Sequence, residues 1–213
     1  MPKSVRFRVL RKELNTLKKQ FLPNVDPMGS YSDRQLARTL AYRVLAHAEI
    51  ESYLEDRVWE AVIKAKRNWD NSGKAHCTLI CLIAFSGQTM DLPPDTLTPN
   101  RPSKMLAQEK VKISKKIDSA INCFQRVVEQ NHGVKEANLL ALLLPIGVDS
   151  DELDSTLLAN LNTFGKQRGL VAHSSATAYR TIQLPDPATE LNAVQQIVQG
   201  LSQIDELINN LMN

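Results

Sequence analysis

Apolar side chains recur at intervals of three and four residues through most of this chain, and the longest such run constrains the fold most. From Ser32 to about Arg67 the inner line reads Leu36, Leu40, Val44, His47, Glu51, Leu54 and Val58. That spacing marks one face of an α-helix, and Ser32 is a good N-cap. The same period returns over residues 4–20 with Leu10, Leu14 and Leu17, followed by Phe21. It returns from Ser103 to about Asn131 with Leu106, Ile113, Ile117, Ile121 and Phe124, and again in a last helix opened by Asp186 or Thr189. Two shorter apolar segments, His76 to about Phe85 and Val134 to Leu144, complete the set. The first also reads as a strand, because Thr78, Ile80 and Ile83 are β-branched. The expectation is an all-α, up-and-down helical bundle with extra helices. Residues 1–213 form one helical domain in this reading, with a basic N-terminal helix and connector over 1–30.

The breaks follow from proline, glycine and polar clusters. Pro23, Pro27 and Gly29 interrupt the connector after the first helix. Residues 68–73 read as a turn. Residues 87–102 carry Pro93, Pro94, Pro99 and Pro102 and read as a long loop; loops of that length are functional or mobile. Asn131-His132-Gly133 ends a helix with Gly133 as the C-cap glycine. His132 is expected to be exposed there and is given no chemistry. Residues 179–187 read as a linker.

Composition narrows the function classes. The apolar content of 43% suits a globular core, and no run approaches the ~18 apolar residues of a membrane span. The first residues lack the apolar centre of a secretory signal. Cys77, Cys81 and Cys123 are few and odd in number. Cys77 and Cys81, four apart, read as small core residues, since a disulfide between them would strain a helix. Free thiols and a cytoplasmic location are expected. No Cys/His spacing suits zinc, and no metal or cofactor is implied. No glycine-rich phosphate loop and no nucleophile elbow occurs. The net charge of +3 is mild but unevenly spread. Lys3, Arg6, Arg8, Arg11, Lys12, Lys18 and Lys19 crowd the N-terminus, and Lys110, Lys112, Lys115 and Lys116 form a second group. Such groups attract phosphate backbones, or they are simply solvated helix faces.

One stretch carries candidate chemistry. Leu157, Leu161 and Phe164 form an apolar stripe, with Val171 on the same side two turns later. Asp149, Ser150 and Asp151 stand upstream where caps and first-turn acids belong, and Ser174 and Ser175 favour leaving the helix. Near its end the helix carries Arg168 and His173. Arginine keeps its charge and presents a planar fork suited to phosphate oxygens. Histidine exchanges a proton near neutral pH. Five positions turn an α-helix through about 500°, so the two side chains lie well over ~100° apart. They meet on one phosphate only if the helix end distorts, which Gly169 would ease, or if a second chain supplies half of the site. Within the long helix, His47 and Glu51 interrupt the apolar stripe at i and i+4, where they can touch. A buried carboxylate needs a partner. Glu51 is therefore a supporting residue that Arg168 or His173 could satisfy, or one that simply pairs with His47 or another arginine.

Arg168-Gly-Leu-Val-Ala-His173 resembles the Arg-x(4–6)-His motif of the HEPN superfamily, many of whose members cleave RNA in stress response and phage defence. Leu161 to Arg168 resembles the run into that motif. Leu36 to Leu54 is similar to a first core helix of the RiboL-PSP-type branch. The resemblance covers roughly residues 31–200. It implies a HEPN-type bundle and a homodimer that joins two motifs in one cleft. It also implies metal-independent cleavage of RNA by Arg168 and His173, supported by Glu51 and His47. Lys166, Ser174, Lys112 and Lys115 become candidate RNA contacts, and an antitoxin or defence-system protein a candidate partner. The loop over 87–102 has three readings: it covers the RNA groove, docks a partner, or does neither. One position departs from the pattern: a polar residue often follows the arginine in active members, and Gly169 stands here. The alternative is a non-catalytic HEPN-like module that binds RNA, a nucleotide or a protein.

Overall fold

The computed structural model describes residues 2–88, 112–173 and 185–213, without the side chains of Ala172 and His173. Seven α-helices and two short 3₁₀ turns account for the regular structure among the described residues, which include no strand. Helix α1 (Val5–Phe21) is capped by Ser4, whose hydroxyl accepts from Phe7 N. Helix α2 (Asp33–Ser72) runs for 40 residues from a capping box in which Ser32 and Gln35 bond reciprocally. The turn expected over 68–73 is instead the last turn of α2. Lys66 bridges Asp70 at 2.5 Å across one helical turn, and Ser72 Oγ donates to Asn68 O at 2.7 Å. These local bonds carry the helix on until Gly73 adopts a left-handed φ of 67°.

Helix α3 (Cys77–Phe85) is helical, not extended, and His76 caps it, with Nδ1 facing Thr78 N. The described part of the next helix, α4 (Ile113–Glu129), starts after Lys112; Ser103 and Leu106 lie outside the described residues. Its C-cap is Gln130, so Gly133 does not end it. Gly133 has no positive φ and is buried, and a Cβ there would meet Asn138 Oδ1 at 3.2 Å. Helix α5 (Glu136–Leu143) passes into a 3₁₀ turn containing Pro145. Asp149, Ser150 and Asp151 do not cap the motif helix. They build a separate 3₁₀ turn over Ser150–Glu152, capped by Asp149. Helix α6 (Ser155–His173) begins only after it. Asp186 caps helix α7 (Pro187–Leu211), with Pro187 in its first turn.

α2 is the axle of the bundle and packs against each of the other α-helices. Its face toward α1 carries Tyr53, edge-on to Phe7 with ring centroids 5.8 Å apart. Ile50, Leu54 and Val58 of α2 are buried in one apolar cluster with Phe124, Leu139, Leu161, Phe164, Ile197 and Leu201. Two arginines enter this apolar environment, and each is matched by an acid on α7. Arg43 Nε donates to Glu190 Oε2 at 2.8 Å. Arg57 Nε lies 3.0 Å from Asp205 Oδ1, and Asp205 also accepts from Tyr53 OH, Ser4 N and Ser4 Oγ. These pairs fix α1, α2 and α7 relative to one another. They obey the rule that a buried charge is paired and hydrogen-bonded.

Candidate active site

α6 reaches its position through its apolar side. Leu157, Leu161 and Phe164 are buried, and two glycines remove obstacles. At Gly165 a Cβ would stand 2.8 Å from Lys135 Cγ. At Gly200 on α7 it would stand 2.7 Å from Leu157 Cδ1. α6 therefore lies close against α7 on one side and against the segment between α4 and α5 on the other.

Arg168 follows Phe164 by four residues on α6 and is half-buried. Its Nε is buried without a hydrogen-bond partner. Its charge acts on two side chains of α2, His47 and Glu51. His47 is 1% exposed and stacks on Phe164, with centroids 5.8 Å apart and planes at 27°. Burial first, and the Arg168 guanidinium second, push its pKa down to about 4. His47 Nδ1 lies 3.4 Å from Glu51 Oε2, yet that nitrogen has no hydrogen bond. At neutral pH the imidazole is uncharged, so the contact is not an ion pair. Glu51 is raised above the ordinary carboxylate range by burial and by Glu55, against the opposing pull of Arg168 and His132. The structure thus brings Arg168, His47 and Glu51 together.

The other sequence candidates scatter. Lys166 is exposed on α6. Lys112 sits at the N-cap of α4, and Lys115 lines a separate cavity with Lys66, Asp118 and Arg126. His173 closes α6, but its side chain and all of Ser174 lie outside the described residues, as does the loop beyond Gln88. α6 runs as a helix through both Arg168 and His173, so the distortion that Gly169 would ease does not appear. Beyond its own helix backbone and chain neighbours, no described atom lies within 4 Å of a Cβ placed on Gly169, and Leu170 is 48% exposed. Among the described residues, this face of α6 is open beside the arginine.

Sequence reasoning passed over part of this cluster. Asn131 Nδ2 donates to Glu55 Oε1 at 2.7 Å and to Gly133 O at 3.1 Å, and Asn138 Nδ2 donates to Asn131 Oδ1 at 3.0 Å. The turn after α4 is therefore bonded to α2 one helical turn from Glu51. The available signal was Glu51 and Glu55 themselves, two carboxylates at i and i+4 that call for donors. Among the described residues no group of three or more His, Cys, Asp or Glu side chains is placed to hold a metal ion.

The family model for RiboL-PSP-HEPN matches residues 6–210. The chain belongs to the RiboL-PSP-HEPN family. No curated protein and no solved structure matches it. The match takes in the helices α2 and α6 that meet at Arg168, and the all-α fold agrees with a HEPN-type bundle. No described helix of this HEPN protein is long and apolar enough to cross a membrane.

Proposed function

We propose that this HEPN protein is a metal-independent endoribonuclease working through Arg168 and His173 at a site shared between two copies of the chain. The observation that carries the reading is the state of Arg168. It is a permanent cation with a buried Nε that has no acceptor, beside a carboxylate that does not form an ion pair with it. A buried donor without an acceptor costs about 1–3 kcal/mol, and an anionic ligand would recover that interaction energy. Membership of the family makes a phosphodiester the natural anion.

The helical pitch supports the shared site. Positions 168 and 173 lie well over ~100° apart around an α-helix, so a site shared between two copies brings an arginine and a histidine together more readily than one copy does. The open face around Gly169 and Leu170 leaves room for a second copy. In the reaction, His173 takes the proton from a ribose 2′-hydroxyl, or protonates the leaving 5′-oxygen, with the partner's His173 in the other role. The 2′-oxygen attacks phosphorus, and the P–O5′ bond breaks. A 2′,3′-cyclic phosphate and a 5′-hydroxyl result. Arg168 stabilises the charge that develops on the phosphoryl oxygens. Glu51 and His47 are supporting residues on the α2 side of Arg168, and Lys166, Ser174, Lys112 and Lys115 are secondary RNA contacts. Family membership supports a role in phage defence, a toxin–antitoxin pair or stress response, with a partner protein restraining the enzyme in the cytoplasm. The free thiols of Cys77, Cys81 and Cys123 are consistent with that location.

The test is cleavage of RNA in EDTA by wild type, Arg168→Ala and His173→Ala. Cleavage that survives EDTA and falls by about 10²- to 10⁴-fold on loss of the histidine supports the reading. Cutting of an all-deoxy substrate would refute the 2′-hydroxyl step. Gly169 beside the arginine favours one other reading, a non-catalytic module that binds RNA, a nucleotide or a protein. Absence of cleavage on several RNAs with retained RNA binding would select it.

A further inference from the structure

The segment that opens α1 is tied to α7 at one end of the bundle. Lys3 donates to Ser202 O at 2.8 Å, and Ser4 N and Ser4 Oγ bond to Asp205. Near its start, α7 is held to α2 instead, through Arg43 and Glu190. Between these ties α1 and α7 flank a cavity of about 230 Å³ that reaches down to Tyr42 of α2. Leu14 and Val194, both buried, and Leu191 and Val198, half-buried, make its walls apolar. Its rim is polar and exposed, with Arg11, Asn15 and Lys18 from α1 facing Gln195 from α7. None of these residues belongs to α6, so the cavity is separate from the candidate nuclease site.

Tyr42 marks the floor as more than packing. The residue is 1% exposed, its hydroxyl bonds to no described residue, and the surface it keeps faces this cavity. Burial first, and the charge of Glu190 second, push its pKa up, so the hydroxyl stays a donor at any working pH. Tyr53, the next buried tyrosine on α2, gives its hydroxyl to Asp205. The cations of α1 show the same contrast. Lys3 and Arg6 pair with Glu206 and Asp56, whereas Arg11 and Lys18 meet no acid among the described residues. A water molecule would satisfy the hydroxyl but would leave the apolar walls wetted and both cations without a counter-charge. The volume lies below the roughly 300–1,000 Å³ of drug-sized ligand sites, which favours a body of about one ring over a nucleotide. A phosphate monoester carries about two charges and is best met by cations that converge. Arg11 and Lys18 are seven positions apart, about 10 Å along α1, which suits a single charge better. We propose that this cavity binds a small organic carboxylate with a compact apolar body. The body lies between α1 and α7, and the carboxylate takes the Tyr42 hydroxyl and a cation of the rim. The proposal does not depend on the nuclease reading.

Phenylacetate and 4-methylpentanoate are the test ligands, titrated into the full chain and followed by methyl and amide NMR shifts. Acetate lacks the body, benzyl alcohol lacks the charge, and phenyl phosphate carries the other anion. Saturable shifts at Leu14, Val194 and Val198 are expected with the test ligands, and binding at least several-fold weaker with the other three. Tyr42→Phe should weaken phenylacetate by about tenfold or more, as loss of a hydrogen bond to a charged group does. Its Tm should stay at the wild-type value, because the hydroxyl gives up no bond within the protein. Val198→Trp fills the cavity from its half-buried wall and should abolish binding, with circular dichroism confirming the fold. Lack of saturation by both test ligands overturns the proposal. So does benzyl alcohol binding as tightly as phenylacetate, which would leave an apolar pocket without anion recognition. Tighter binding of phenyl phosphate overturns the choice of a carboxylate. Binding that Tyr42→Phe leaves unchanged, or a clear fall in the Tm of that variant, overturns the role of the hydroxyl.

Discussion

A buried histidine beside a candidate catalytic arginine leaves a signature in stability that needs no substrate. His47 is 1% exposed, and its pKa falls from 6.5 to about 4. The unfolded chain therefore takes up a proton at this position at a higher pH than the folded chain does. Stability must decline as pH drops through the interval between the two values, because protons favour the state that binds them more readily. Between pH 7 and pH 5, two protonation equilibria with these constants give a loss of about 2 kcal/mol from this one side chain. Glu51 works in the opposite direction, since a carboxyl raised in the folded state gains stability as it protonates. The comparison is urea unfolding at both pH values for wild type and His47→Gln, which is neutral throughout. Any fixed cost of the substitution drops out, because only the change with pH is compared. The variant should lose about 2 kcal/mol less than wild type over the interval. Identical pH dependence in the two proteins would show that His47 titrates normally and that the stack on Phe164 does not exclude water. An NMR titration in which the His47 ring protonates near pH 6.5 would refute the argument in the same way.

Three further substitutions probe the frame that holds the site. Gly200→Ala should destabilise by about 1–3 kcal/mol in chemical unfolding despite alanine's better helix propensity, because the new methyl meets Leu157 at 2.7 Å in the α6–α7 interface. Gly169→Ala should raise stability by up to about 1 kcal/mol, seen as a higher Tm, since the position is helical and a Cβ there meets open space. Asp205→Ala should lower stability by about 3–5 kcal/mol, because it takes from Arg57 its only buried carboxylate, leaving Asn209 and the exposed Glu60, and strands the Tyr53 hydroxyl and Ser4. Circular dichroism during urea unfolding reads this last effect, and a loss below about 1 kcal/mol would mean that water replaces the carboxylate.

What the sequence made legible was local. The stripe and cap of α2, the inner side of α6 and the Asp186 cap of α7 all depend on spacing within a few residues. The errors arose where a local rule had a local competitor. Residues 68–73 lack strong helix formers, but the Lys66–Asp70 and Ser72–Asn68 bonds extend α2 through them. Gly133 looked like a C-cap, yet α4 ends at Gln130, and Gly133 lies beyond it where a Cβ would meet Asn138 Oδ1 at 3.2 Å. Contacts between distant parts of the chain had almost no signal. Arg43 and Arg57 lie among apolar neighbours on α2, and nothing near them in sequence announces Glu190 or Asp205 as partners. The same holds for His132, whose turn meets Glu55 across 76 positions of separation between Asn131 and its acceptor. Glu51 was recognisable as a carboxylate out of place on an apolar stripe. Arg168 and His47 could be named as its partners from residue type and spacing, whereas the turn before α5 could not, because it is distant in sequence and carries no charge pattern that points to α2.

Arg43, Arg57 and Arg168 give the site its sharpest physical contrast. Arg43 and Arg57 each meet a carboxylate on α7 at hydrogen-bonding range. The fold is plainly able to neutralise an arginine where structure requires it. Arg57 Nε also lacks a hydrogen bond, but Asp205 stands 3.0 Å from it and Glu60 and Asn209 take its terminal nitrogens; Arg168 has Glu51 nearby, forms no ion pair with it, and its Nε is left without an acceptor. If Arg168 served stability, its removal would resemble that of Arg57. If it is held for a ligand, the fold bears a cost that substitution relieves, as strained functional sites do. Arg168→Met keeps much of the apolar stem and removes the charge. Its Tm should equal or exceed that of wild type, because a buried donor without a partner disappears. Arg57→Met should lower stability by about 3–5 kcal/mol, because Asp205 remains buried and unpaired. RNA cleavage should show the reverse order, with Arg168→Met inactive and Arg57→Met active wherever it stays folded. Loss of stability in Arg168→Met as large as in Arg57→Met would make Arg168 a structural residue and remove the main support for a phosphate site on α6.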